Sequence, residues 1–164
     1  MPTQYDITDM VKDAVKSVLA AGQNYVPTAA IRTNRSDIAA VAPRIDVTVT
    51  GVSRASEQMA SANGAFFFNH FEVGLDIAIV SDRAGDGAAQ HDLILQRVRY
   101  LMSREAQSFV SPVVTLFEPL DIVESGESHE VTEETREDTS TVSYRLPIGL
   151  LGSSYTVPTS GTLV

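Results

Sequence analysis

The chain has three histidines, and these are the first residues to weigh for chemistry, because histidine is the commonest metal ligand and general base. His70 and Glu72 stand two apart with Asp76 beyond them, a spacing that puts all three on one face of a strand. Such a row can hold a metal, but polar residues on the wet face of a strand are the ordinary pattern, so no metal is expected there. His91 and Asp92 open what reads as a helix, where the acid suits the positive end of the dipole. His91 is therefore expected at the edge of the core or as a cap, not in catalysis. His129 sits in an acidic stretch with no nucleophile nearby in sequence. The run DRAGDG, residues 82–87, shares only its composition with calcium loops, since an EF-hand closes with Glu at its twelfth position and counting from Asp82 reaches Leu93. GDGAAQH has glycines before a helix but lacks the Lys and Ser/Thr of a phosphate loop, and no Gly-x-Ser-x-Gly elbow occurs. The absence of cysteine removes thiolate metal sites, Cys nucleophiles and disulfides together. No catalytic, cofactor-binding or metal residue is assigned, and the chain reads as non-enzymatic.

Charge is the stronger signal. Residues 124–138 hold seven acids against one arginine, Arg136. Like charges this close repel, so the segment should form a solvated hairpin or loop, or meet a basic partner, or line a passage that keeps nucleic acid from sticking. The whole chain carries −9, and residues 121–164 hold eight acids and two bases against thirteen and ten in residues 1–120. A balance of that sign argues against binding to the phosphate backbone, which draws its free energy from Lys and Arg displacing counterions.

The elements that must position these residues follow from periodicity. Ile7, Met10, Val11, Ala14, Val15, Val18 and Leu19 recur at threes and fours, the stripe of an amphipathic helix, with Thr8 or Asp6 as its cap and Gly22 as a left-handed stop. From Arg44 the period becomes two: Ile45, Val47 and Val49 alternate with Asp46, Thr48 and Thr50. After a polar loop, residues 53–65, a second strand carries Phe67, Phe71, Val73, Leu75, Ile77 and Ile79 on one face. Asp86 can cap a second helix with His91, Ile94, Leu95, Val98, Leu101 and Met102 inside and Gln96, Arg97, Arg99 and Arg104 outside. Short β-like runs at 113–117 and 120–123 precede a last strand of Val142, Tyr144, Leu146 and Ile148, where Pro147 implies an edge or a bulge. Residues 23–43, bracketed by Pro27 and Pro43, show no clear element.

These elements predict one α+β domain over residues 1–150: a mostly antiparallel β-sheet covered on one face by two α-helices. Residues 151–164, rich in Gly, Ser and Thr, read as a flexible C-terminal arm ordered only by a neighbour. With 43% hydrophobic and 20% charged residues the chain should fold. Residues 1–10 do not read as a signal peptide, no apolar run approaches a membrane span, and no membrane partner is expected.

The order of an amino-terminal helix, APRIDVTVTGV, a polar loop, FEVGLDIAIVSDRAGDGAAQHDLILQRVRYLMS and a closing TVSYRLPIGL resembles the small tail terminator and neck proteins of tailed bacteriophages, over roughly residues 5–150. The resemblance implies a structural virion protein that forms a homohexameric ring, caps the tail tube protein and joins it to the head connector. It would be assembled in the host cytoplasm, with DNA passing through its lumen without specific binding and with no cofactor. A head-completion or adaptor neck protein next to the portal is the alternative within virions, and a small ligand-binding or enzymatic α+β domain the alternative of another class. The family supplies no catalytic residues to carry over. For assembly contacts the expected residues are Arg54 and Glu57 in the polar loop, Glu133, Glu134 and Arg136 in the acidic segment, and Tyr155 on the arm, tyrosine being favoured at interfaces.

Overall fold

The computed structural model describes residues 7–22, 25–33, 42–54, 70–82, 87–103, 117–119, 122–134 and 136–150. Helix α1 spans Ile7–Gly22 and α2 spans Gly87–Leu101. The strands are β1 Ile31–Arg32, β2 Arg44–Arg54, β3 His70–Asp82, β4 Phe117–Pro119, β5 Val123–Thr132 and β6 Glu137–Leu150, with a single 3-10 turn at Thr28–Ala30 ahead of β1. They form a six-stranded sheet in the order β1, β2, β3, β6, with β4 and β5 both on the far flank of β6. Only the β1–β2 pair is parallel. The protein is an α+β fold with a mostly antiparallel sheet, as its alternating patterns require.

The pleat sends successive side chains to opposite faces, and this decides where the core lies. Phe71, Val73, Leu75, Ile77 and Ile79 of β3 share one face with Ile45 and Val47 of β2 and with Val142, Tyr144 and Leu146 of β6, and all are buried. Both helices cover that face. Val11, Val15, Val18 and Leu19 of α1 and Ile94, Leu95, Val98 and Leu101 of α2 complete one hydrophobic cluster. Burying each such side chain contributes about 1.5–3 kcal/mol relative to exposing it.

Three local details bear on these expectations. Gly22 does end α1, but not as a left-handed stop: a Cβ there would meet Leu101 Cδ2 at 2.2 Å, so the glycine permits the close approach of α2. Arg97 then donates from Nε to the Gly22 carbonyl at 2.7 Å, satisfying an open helix end from the neighbouring helix. Pro147, expected at an edge or a bulge, pairs with Glu72 of β3 on one flank, and on the other it falls at a break, where β5 covers β6 up to Arg145 and β4 resumes at Ile148. Of the runs at 113–117 and 120–123, Phe117 opens β4, which continues through Glu118 and Pro119, and Val123 opens β5; residues 113–116, 120 and 121 lie outside the described residues. The caps Asp6 and Asp86, and Phe67, lie outside the described residues.

Candidate assembly surfaces

The acidic run becomes a β-hairpin. β5 and β6 pair antiparallel from Val123↔Arg145 to Thr132↔Glu137, with a bulge between Glu124 and Gly126, and Glu133, Glu134 and Arg136 lie in the turn. Arg136 holds that turn with φ 53, a left-handed conformation that is uncommon outside glycine and asparagine. Glu133, Glu134 and Arg136 are all exposed, so three of the expected assembly residues sit together on the hairpin tip.

Part of the charge repulsion is relieved from a distant element. Arg99 of α2 donates through Nη2 to Glu124 Oε1 and to Glu127 Oε2, both at 2.6 Å. Hydrogen bonds to Glu124 and then Glu127 hold the Arg99 guanidinium still more firmly protonated than usual. This clamp ties the edge strand to the helix layer. Sequence gave no warning of it, because the partners are 25 and 28 residues apart and meet only through the fold.

His91 is buried where α2 crosses the sheet, at 4% exposure. Its Nδ1 lies 3.0 Å from Ser81 Oγ of β3 and its Nε2 lies 2.8 Å from Ser140 Oγ of β6. In the neutral ring one nitrogen donates to a serine hydroxyl and the other accepts from one. A serine paired with histidine is the start of a nucleophilic site. Here Ser140 is 3% exposed, and the second ring nitrogen faces a hydroxyl instead of an orienting carboxylate, so the arrangement acts as a polar clamp between helix and sheet. Burial is the main cause that keeps the ring less basic than an ordinary histidine; Asp138 and Asp92 pull the other way, and His129, whose ring centroid is 6.1 Å away, adds to the depression.

The face of the sheet away from the helices carries hydroxyls and paired charges. Thr48, Asp76, Thr139, Thr141 and Ser143 lie on it, partly exposed. Asp46 takes a bidentate bond from Arg32, at 2.6 and 2.9 Å, and a third from Arg44 at 3.3 Å. Burial alone would raise the Asp46 carboxyl, but these arginines outweigh it and hold it below its ordinary value. Arg44 also approaches Glu137 at 3.6 Å, and Arg145 lies 4.0 Å from Glu72. Each arginine on this face whose side chain is described thus has a carboxylate beside it. The β2 bulge after Val49 leaves a shallow, open groove between Thr50, Ser53, Glu72 and Arg145. Among the described residues no group of three or more His, Asp and Glu could hold a metal ion, and no helix is long and apolar enough to cross a membrane.

The remaining expected residues do not join the hairpin tip. Arg54 ends β2 opposite Phe71, whereas the tip lies beyond the Asp82↔Glu137 pair. At about 3.3 Å per residue the two are roughly 35 Å apart along the sheet. They mark opposite poles of the molecule. Glu57 and Tyr155, and residues 151–164 as a whole, lie outside the described residues.

No family model matches the chain. Nor does any curated protein. A solved structure does match: a chain described as "Virion of native gene transfer agent (GTA) particle", 12% identical, with 89% of this chain and 99% of that chain covered and a TM-score of 0.55. At that identity the likeness is one of fold, and it extends over nearly the full length of both chains.

Proposed function

We propose that this chain is a structural virion protein that assembles with copies of itself as a ring, the tail terminator that caps a tail tube and presents its other side to the head connector. The observation that carries the reading is the fold it shares, over 89% of its length, with a chain of a gene transfer agent virion. Three features of the surface support it. The candidate contact residues divide between two poles of the sheet, Arg54 at one end and Glu133, Glu134 and Arg136 at the other, as a layer held between two different neighbours needs. The face opposite the helices is rich in hydroxyls, and its described arginines are matched by carboxylates, so among the described residues a ring lined by it offers passing DNA little to displace counterions. A heterologous contact repeated about an axis closes such a ring without any catalytic step.

The test is to image purified protein and intact particles. Closed rings in negative stain, and a label on this chain found where the tail meets the neck, are the expected results. A strictly monomeric protein at every concentration, together with its absence from the particle, would overturn the proposal. A label beside the portal instead of the tail tube would move the chain to the head-completion layer.

A further inference from the structure

Among the described residues the sheet has two open flanks. On one side β1 pairs only with Ile45 and Asp46, and among the described residues no strand lies beside the rest of β2. On the other side β5 is paired, among the described residues, along one flank only, and nine of its ten residues are exposed. An edge strand of that length displays unpaired N–H and C=O groups, a template for another strand unless something covers it. Of the six exposed large hydrophobics among the described residues, three lie on these flanks: Val52 on β2, and Val123 and Val131 on β5.

The two flanks suit each other. Across β2, β3, β6 and β5 the strands alternate in direction. A second copy turned about an axis along the strands therefore meets β5 with an antiparallel β2, and the same is true at every further junction. Charge agrees with this. β5 carries three glutamates and no lysine or arginine, and β2 carries two arginines and one aspartate.

We infer that β5 of one copy adds to the free flank of β2 in the next, so that a continuous antiparallel sheet closes the ring. The inference rests on the ring proposed above and names the surface that builds it. Main-chain hydrogen bonds supply the adhesion, and the unlike charge of the two strands favours β5 against β2 over β5 against β5. With the ring axis along the strands, the helices form the outer wall and the hydroxyl-rich face surrounds the passage.

The cysteine-free chain allows a direct test. Within one copy β2 and β5 are separated by β3 and β6, about 14 Å at ~4.8 Å per strand. A disulfide needs Cα atoms within about 7 Å, so any bond between these strands joins two copies. Two double variants are oxidised after assembly, Ser128→Cys with Thr48→Cys and Ser128→Cys with Thr50→Cys; two partner positions are used because closing a barrel staggers the rows. The expected result is a ladder of covalent oligomers on a non-reducing denaturing gel that collapses on reduction. Chains carrying only Ser128→Cys, mixed with chains carrying only Thr50→Cys or Thr48→Cys, should stop at dimers. As a second measurement that needs no substitution, hydrogen exchange of the natural chain should slow along β5 and the outer part of β2 when rings form. Rings that are visible but give neither cross-links nor added protection would overturn the edge-to-edge joint and leave the ring standing. Dimers from Ser128→Cys alone would also overturn it, by showing β5 against β5. If no ring exists in solution or on particles, the proposed function and this inference fall together.

Discussion

Two buried polar side chains show how much a single residue's surroundings decide. His91 bonds to Ser81 and Ser140 and is held below its ordinary pKa of 6.5 chiefly by burial. A base whose folded pKa is depressed stays neutral in the native state while the unfolded chain takes up the proton, so stability is full above pH 6.5 and falls as pH drops from there toward the lower folded value. Urea unfolding between roughly pH 7 and 5 should show that fall, and His91→Gln should flatten it; an unchanged slope in the variant would show that the loss arises elsewhere. Tyr144 is the opposite case. Its hydroxyl is buried with no hydrogen-bond partner among the described residues, and burial pushes the phenol well above its usual range. Removing an unsatisfied hydroxyl removes a desolvation penalty of about 1–3 kcal/mol along with the group, so Tyr144→Phe should be neutral or stabilising in thermal unfolding. A loss of more than about 1 kcal/mol would reveal a partner bond.

At the scale of elements, the junction from β3 to α2 depends on Gly87. A Cβ there would fall 1.6 Å from the Asp82 carbonyl oxygen, which is backbone and cannot swing aside. Alanine would improve helix propensity by up to about 1 kcal/mol, but opening this junction disturbs the packing of α2 on the core and costs about 1–3 kcal/mol. Gly87→Ala should therefore lower the unfolding free energy, while Gly51→Ala, where a Cβ meets nothing within 4 Å, should not. Equal effects at the two positions would show that the close approach does not matter. The same contrast marks what periodicity can reveal. Both helical stripes and the alternating residues of β2, β3 and β6 are legible as patterns, because burial on one side imposes them. β5 was legible only through its charge, as one arm of a solvated hairpin or a loop: with its residues almost all exposed it carries no alternation of apolar and polar side chains. β1, two residues long, is too short to leave a pattern.

For the molecule as a whole, the charge asymmetry belongs to one place. Glu133 and Glu134 stand on the hairpin tip at one pole, exposed and away from the core, where single charges contribute little to stability. Replacing both by Lys should leave thermal unfolding within about 1 kcal/mol of the natural chain and yet impair joining of tails to heads in an assembly assay. Normal joining would remove the hairpin tip from the docking surface. Arg54, at the other pole, should affect a different contact, so its substitution and that of the tip should add independently.

The sequence by itself determined the fold class, since one-sided burial writes a period of two or 3.6 into any chain that must cover a sheet with helices. It also located the acidity and showed that no familiar catalytic motif is present. Only the tertiary structure decided which of those charges act together. Arg99 reaches Glu124 and Glu127, Arg32 reaches Asp46, and His91 bridges two strands, because folding brings together residues far apart in the chain. The two flanks left without a partner strand among the described residues are likewise a property of strand order, which no local pattern of residues encodes.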